Sequence, residues 1–415
     1  MKPSRTRNQE KQMKTIHSFV MSAVGLAALC ASPAFAQQAT FQVGALTPVT
    51  GAGAPYGAGM SKAIEIAVAE INAAGGAKGA KLVVSSEDSQ TAPQAAVLGA
   101  KKLLSVSNVK ALIGVWSSGE SLAVMPLTNE ANVLLMHASG APALSGPPVN
   151  DKKLGFRFQA TNGRFGRAFA EIAKREGYTK PATMAFNNAS GLGNTEGFAT
   201  AWKAAGKEVV ASVVYEPNRP SYRSELQSVL RAKPDVIVTG SYLADTTIIL
   251  REWYQSGVNT KWIIPGWAAN ADLIKALGPE VTEGIISVET VSNEAAPSYK
   301  HYAEAAGKAG INVQGNAYAA MAYDQAIILG LAVQAAGPTA SGTELAKKVH
   351  EIGTAGGTQV YTFAEGKKKL EAGERVSYIG ASSALNFDEF NDVTPDFAAW
   401  KIEKGQLVRK YIVKL

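Results

Sequence analysis

Ser117 and Ser118 stand side by side between an apolar run at 111–115 and a stretch of helical period at 121–130. Two hydroxyls at the carboxyl end of a strand, beside the first N–H groups of a helix, make a place where a carboxylate can be received; the helix dipole favours the negative charge. A serine there also caps a helix with no ligand present, and position alone leaves both readings open. Other chemistry is poorly supported. The surrounding sequence, Gly114-Val115-Trp116-Ser117-Ser118-Gly119, does not fit the Gly-x-Ser-x-Gly of a nucleophile elbow. His137, His301 and His350 are far apart and lack the His-Glu-x-x-His spacing of a zinc site. The segment from Gly191 to Gly197 misses the dinucleotide fingerprint Gly-x-Gly-x-x-Gly by one residue. Hence no catalytic residue, no metal and no cofactor is expected.

The N-terminus reads as an export signal. Lys2, Arg5, Arg7, Lys11 and Lys14 precede an apolar stretch at 19–31 that is too short to span a bilayer, and Ala34-Phe35-Ala36 supplies small residues at a cleavage site. The expectation is a periplasmic protein cut after Ala36, with Met1 and Met13 both open as the start. Cys30, the single cysteine, follows Leu29 where a lipoprotein signal wants a small residue, so a soluble product without disulfides is expected. Of 41 basic and 34 acidic residues, five and one lie in the leader. The remaining net charge of about +3 is no argument for nucleic acid or an anionic membrane.

Short apolar runs rich in β-branched residues alternate with stretches of helical period, the pattern of parallel sheets covered by helices. A first series has predicted strands at 41–46, 81–87, 111–115 and 133–137. Between the first two, Ile64, Ala67, Val68 and Ile71 recur at helical spacing, and Gly75-Gly76 stops that helix. A second series has strands at 156–159, 183–187, 208–214, 236–240 and 262–265, separated by helices at 164–176, 195–205, 222–231 and 245–255. Beyond residue 297 the pattern is helical at 299–308, 318–336 and 343–352. It closes with β-like segments at 384–387, 400–402 and 407–413. Lys367-Lys368-Lys369 is read as a solvated loop. About 379 residues after the leader exceed one ordinary core. The expected fold is therefore α/β, with two Rossmann-like lobes of parallel sheet flanked by helices: residues 37–159 and 287–394 in lobe 1, 160–286 and 395–415 in lobe 2.

In open parallel sheets, ligands sit beyond the carboxyl ends of the strands. The first strand is followed by a glycine-rich segment carrying Tyr56, the third by Trp116, Ser117 and Ser118, and the fourth by Ala138, Ser139 and Gly140. In the second series Leu192, Tyr242, Gly266 and Trp267 hold the equivalent places. One aromatic at a strand end belongs to core or rim more often than to a ligand platform; several at successive ends point to a shared cleft. His137 either meets a ligand or is held by backbone groups. Arg164, at a helix start, either receives a second anionic group or is a solvated helix end.

The run Val43-Gly44-Ala45-Leu46-Thr47-Pro48-Val49-Thr50-Gly51, then Tyr56-Gly57, then Ile71-Asn72-Ala73-Ala74-Gly75-Gly76 resembles the branched-chain amino-acid binding proteins of ABC importers, the type I periplasmic binding proteins. Asp88, Gly114 with Ser117-Ser118, Tyr242 after Gly240, Pro265 before a helix, and Phe387-Asp388 extend the resemblance over nearly the whole chain after the leader. It implies a cleft between two lobes joined by three crossings, closing on the ligand by a hinge. The partners expected are a small-molecule ligand and an ABC permease, and the protein is expected to be a monomer. By position, the resemblance makes Ser118 the carboxylate-binding serine and gives Ala138 and Ser139 backbone or hydroxyl contacts. It sets Tyr56 in the side-chain pocket and lets Tyr242 reach the ligand from the second lobe. Leu192 stands where many members have a tyrosine, implying a differently shaped pocket. Gly140 stands where Leu/Ile/Val binders have a threonine, so one hydroxyl contact is missing or moved to Ser139. Gly266 stands where members that hold an α-ammonium have a glutamate. A buried ammonium without a carboxylate is costly, so either Asp245 or another acid pairs with the amine, or the ligand has none.

The expected function is capture of a small carboxylate-bearing ligand, aliphatic or aromatic amino acids foremost, for delivery to a permease. A carboxylate or amide without the amino-acid head, and a sensory module for a membrane receptor, are the alternatives. An exported hydrolase ranks last.

Overall fold

The first apolar run of the described residues forms β1 (Thr40–Thr47), which is flanked by β2 (Lys81–Asp88) and β3 (Ala111–Val115), with β4 (Leu134–His137) and β5 (Gly155–Arg157) beyond. This is a computed structural model describing residues 38–415; the expected leader, the expected cut after Ala36 and Cys30 lie outside the described residues. The sheet order is β2-β1-β3-β4-β5, every pair parallel. All five β3 residues are buried, because helices cover both faces of the sheet. Ala54–Ala73 and Ala317–Ala336 pack on one side, Pro93–Ser105 and Ser118–Ala131 on the other. Val43, Ala45 and Ile113 point to the first layer, Leu46 and Leu112 to the second, the period of two that a strand imposes; Val115, beyond an irregularity in β3, joins the second layer out of that alternation.

Ala54–Ala73 begins inside the glycine-rich segment, so Tyr56 belongs to a helix and not to a loop. Pro55 is tolerated in a first turn, where its missing N–H has no helical partner to lose. A Cβ on Gly57 would lie 2.0 Å from the Pro48 carbonyl oxygen, so this glycine serves close packing. Among the described residues, Ala317–Ala336 is the one helix long and apolar enough to cross a membrane by length and composition. It is buried continuously from Tyr318 to Gln334, as a central core helix is. The lysine run is no free loop: it lies in the helix Phe363–Glu371, and Lys367 Nζ donates to the carbonyls of Ala74 and Gly76 at 2.7 and 2.9 Å, satisfying the end of Ala54–Ala73.

The second sheet contains β6 (Pro181–Phe186), β7 (Ala211–Tyr215), β8 (Val236–Gly240), β9 (Lys261–Pro265) and β10 (Ile286–Thr290). A short parallel pair, β11 (Thr358–Val360) and β12 (Val376–Tyr378), precedes β13 (Phe397–Glu403) and β14 (Gln406–Val413). The second sheet's order is β14-β13-β10-β9-β8-β6-β7, parallel except where β13 meets β10 and β14. The expected boundary at 287 is corrected here: Ile286–Thr290 pairs with β9 and β13, so the chain stays with the second sheet through Thr290. The β-like reading of 384–387 also fails, because Leu385 and Asn386 have φ of 60° and 54°, a left-handed conformation no strand contains.

Two Rossmann-like α/β lobes result, and the chain crosses between them after β5, after β10 and before β13. Arg157 and Asp392 tie two of these crossings together. The Arg157 N–H donates to the Asn391 carbonyl at 2.9 Å, and the fully buried guanidinium reaches Asp392 Oδ1 at 2.7 Å. Arg157 also donates to the carbonyls of Ser139 and Ala141.

Candidate functional site

Each sheet reverses its strand order once. In the first the reversal lies between β1 and β3, in the second between β6 and β8, and at such points the loops diverge and leave room for a ligand. β3 carries a register shift between Leu112 and Val115, with Gly114 at φ 86°. This irregularity re-aims the chain at its carboxyl end, where Trp116, Ser117 and Ser118 follow.

The two serines play different parts in the helix start. Ser117 is the helix cap: its hydroxyl accepts from the Glu120 N–H at 3.4 Å, and Glu120 Oε2 accepts from the Ser117 N–H at 2.8 Å. Ser118 is the first helical residue, and its Oγ accepts from the Ala141 N–H at 3.1 Å. That bond leaves the Ser118 proton to be donated elsewhere, next to first-turn N–H groups that have no partner within the helix.

The two reversal points face one another. Between them lies a cavity of about 20 Å³, roughly the room of one water. The first lobe contributes Trp116, Ser117, Ser118, Ala138, Gly140 and Tyr318; the second contributes Asn162, Phe165, Ser190, Tyr242 and Trp267; Gln159 enters from a crossing. At that volume the cavity has no room for an organic molecule in this arrangement of the lobes. The wall of this cavity contains no charged side chain. Burial pushes the phenols of Tyr242 and Tyr318 upward, so both stay neutral and act as hydroxyl donors.

Several expected contacts lie elsewhere. The Ser139 hydroxyl faces the lobe interior, bonded to the carbonyls of Trp116 and Ser117 at 3.1 and 3.0 Å and to the Ser121 hydroxyl at 2.5 Å. The polar group over Gly140 is instead Asn162: a Cβ at 140 would lie 1.5 Å from Asn162 Oδ1. Asn162 donates from its backbone to Gly140 O at 2.6 Å and from Nδ2 to Ser190 O at 2.6 Å, bridging the lobes. Leu192 is not in the cavity wall. The helix Ala189–Ala204 starts earlier than its periodicity shows, capped by Asn188, and places Ser190 at the cavity. His137 is buried and its Nδ1 accepts from the Ser139 N–H at 3.2 Å; burial, then Arg157, holds it well below the ordinary imidazole range. Asp245 accepts from the Tyr222 hydroxyl and the Asn218 N–H within its own lobe. Arg164 also stays out of the wall and senses Arg167 and Asp396.

Tyr56 and Gly266 line a different and larger space, of about 670 Å³, on the other side of Tyr318. Asn270 Nδ2 donates to the Tyr56 hydroxyl at 3.0 Å, a second polar bridge between lobes. Trp267 is fixed by its indole N–H, which donates to Ser241 O at 3.0 Å. Gln159, Asn162, Phe165, Ser190 and Tyr318 were not legible as site residues. The first two sit at a crossing, and Tyr318 opens a helix distant in sequence from every strand end of the first lobe.

Leu/Ile/Val-binding protein homolog 3 of Brucella melitensis is 25% identical over 335 residues, which cover 79% of this chain and 89% of that protein. Among solved structures, the leucine binding protein LivK of Thermotoga maritima superposes with a TM-score of 0.76 at 20% identity, over 90% of this chain and 99% of that one. An ABC transporter solute binding protein of R. palustris, in complex with benzoate, gives 0.72 at 19% identity over 90% and 96%. The family model described as periplasmic binding protein matches residues 40–376, taking in both reversal points and two of the three crossings. By that match and by its two facing lobes, this chain belongs to the periplasmic binding protein family, with the type I fold.

Proposed function

We propose that this chain is the solute-binding component of an ABC importer, exported to the periplasm, and that it holds a small carboxylate with an apolar or aromatic body between the facing strand ends of the two lobes, which move apart from their present spacing to take it. The observation that carries this reading is Ser118. Its hydroxyl proton and the first-turn amides of Ser118–Ala131 meet at the small cavity, opposite Tyr242 and Trp267 of the second lobe. Donors of this kind receive a carboxylate, and the rings of Trp116, Phe165, Tyr242 and Trp267 receive its body. Ligand bridging both lobes stabilises the closed form, which a permease then recognises. The protein acts as a monomer and transforms nothing.

Two ligand classes fit. The uncharged wall favours a carboxylate without an amine, such as an aromatic acid, because an α-ammonium finds only Asn162, Gln159 and carbonyl oxygens there. The Leu/Ile/Val-binding relatives support a branched-chain or other amino acid. Native mass spectrometry of freshly purified protein, followed by a thermal-shift panel, separates them. Leucine and phenylalanine are compared with 4-methylpentanoate and 3-phenylpropionate. Stabilisation by the acids alone supports the amine-free class, and stabilisation by the amino acids alone supports the other. No response to any carboxylate overturns the proposal.

A further inference from the structure

The Ser118 hydroxyl is oriented by a peptide group from another strand end. The amide between Gly140 and Ala141 donates its N–H to Ser118 Oγ at 3.1 Å, and its carbonyl accepts from the Asn162 N–H of the second lobe at 2.6 Å. Hydrogen bonds in series polarise one another, and the lone pair engaged by Ala141 leaves the Ser118 proton for another acceptor. The carbonyls on either side of that amide, Ser139 O and Ala141 O, are both held by Arg157: Nη1 donates to the first, and Nη2 to the second at 3.0 Å. Nη2 also reaches Ser145 Oγ at 3.0 Å, and Ser145 in turn donates to Asp392 Oδ2 at 2.6 Å. With Nε on Asp392 Oδ1 at 2.7 Å, the guanidinium grips the amide from both sides while anchored on the third crossing. A planar fork fixes several acceptors at once, whereas a lysine ammonium is a single point of charge. Arg157 is fully buried and does not line the cavity. Tying the crossings together needs only its contacts with Asp392 and Asn391; the two carbonyl contacts serve the amide.

We propose that Arg157 is a positioning residue for ligand binding: it holds the Gly140–Ala141 amide where that amide aims the Ser118 hydroxyl at the ligand carboxylate. This role rests on the proposed contact between Ser118 and the carboxylate. The loop's entry is secured without the arginine, because the Ala138 N–H donates to Val115 O at 2.8 Å and the Ser139 N–H to His137 Nδ1 at 3.2 Å. Its exit is held by Arg157 and by the Leu144 N–H, which shares Ala141 O at 3.1 Å. Loss of the fork therefore loosens the amide while the strand end stays in place. The Ser118 hydroxyl then samples other directions, and carboxylate affinity falls through Ser118 alone. A purely structural Arg157 would instead weaken the cleft as a whole, whatever side chain stands at 118.

The test is a double-variant cycle read by calorimetry on wild type, Arg157→Lys, Ser118→Ala and the two together. The probe is whichever of leucine, phenylalanine, 4-methylpentanoate and 3-phenylpropionate stabilises wild type most. Arg157→Lys keeps a cation beside Asp392 and removes the fork. In the wild-type background it is expected to weaken binding about fivefold. In the Ser118→Ala background it is expected to change affinity by less than about twofold, the scatter between independent sites. Ser145→Ala removes a hydroxyl that braces the guanidinium and is expected to cost about threefold, again only while Ser118 is present; it decides the matter should Arg157→Lys not fold. Losses that multiply, with Arg157→Lys weakening Ser118→Ala as much as wild type, overturn the positioning role and leave the Ser118 contact standing. Wild-type affinity in Arg157→Lys does the same. Wild-type affinity in Ser118→Ala, or no binding of any of the four probes, overturns both together.

Discussion

Trp116 at the end of β3 and Tyr242 at the end of β8 meet across the cleft, their ring centroids 5.7 Å apart and their planes 35° from parallel. The row continues through Tyr56 on one side, at 5.8 Å, and Phe186 on the other, at 5.2 Å. Such pairs contribute about 0.5–1.5 kcal/mol beyond their burial, and this one joins the two lobes. Tyr242→Ala is expected to weaken binding of the cognate carboxylate about tenfold while the unliganded protein keeps its melting temperature to within about 4 °C. Calorimetry and a thermal melt check both; a collapse of the unliganded melt makes Tyr242 a core residue instead.

The buried pair of Arg157 and Asp392 holds two crossings in register. Asp392→Ala strands a guanidinium away from water, which costs about 3–5 kcal/mol. Urea unfolding monitored by circular dichroism is expected to show a loss of that size. A change under about 1 kcal/mol contradicts a fully buried, coupled pair.

Gly140→Thr restores the hydroxyl that Leu/Ile/Val binders were expected to show at this position, yet it is expected to destabilise the closed form. The new Cβ meets Asn162 Oδ1 at 1.5 Å, and such overpacking costs about 1–3 kcal/mol. The double variant Gly140→Thr with Asn162→Ala is expected to regain part of that loss in a thermal melt. If the single variant is as stable as wild type, Asn162 does not occupy that space.

Glu289 titrates at about 7 in the folded protein, against 4.5 for an ordinary glutamate, because burial disfavours its charge. The folded state thus binds more protons than the unfolded state between those values. Stability therefore falls as the pH rises from about 4.5 to 7 and levels off above. In Glu289→Gln this contribution is absent, so the wild-type minus variant difference in unfolding free energy is expected to decline over that window in the absence of ligand. A flat difference contradicts the raised value.

The strand ends, the serine pair and the facing aromatics were legible because parallel sheets expose their ligand loops by rule: Ser118, Tyr242 and Trp267 each follow a readable strand. Asn162 and Gln159 were hidden because their importance comes from a lobe crossing, which has no periodicity. Leu192 was misread because its glycine-rich surroundings conceal a helix that Asn188 starts, which brings Ser190 to the cavity instead. Ser139 was assigned a ligand contact although its hydroxyl serves three neighbours of its own lobe. Glu289 escaped notice because the sequence shows no readable strand at 286–290 and residues from 287 on were expected in the first lobe, whereas its relation to Gly266 exists only across two paired strands.

Central to the proposed function is a hydrogen bond from Ser118 to a ligand carboxylate in the cleft. Calorimetry of Ser118→Ala against the best carboxylate from the thermal-shift panel tests it most directly. Affinity is expected to fall about tenfold or more, the size of a lost charge-assisted hydrogen bond, with the unliganded melting temperature preserved. Affinity equal to that of wild type would remove Ser118 from the site and contradict the account.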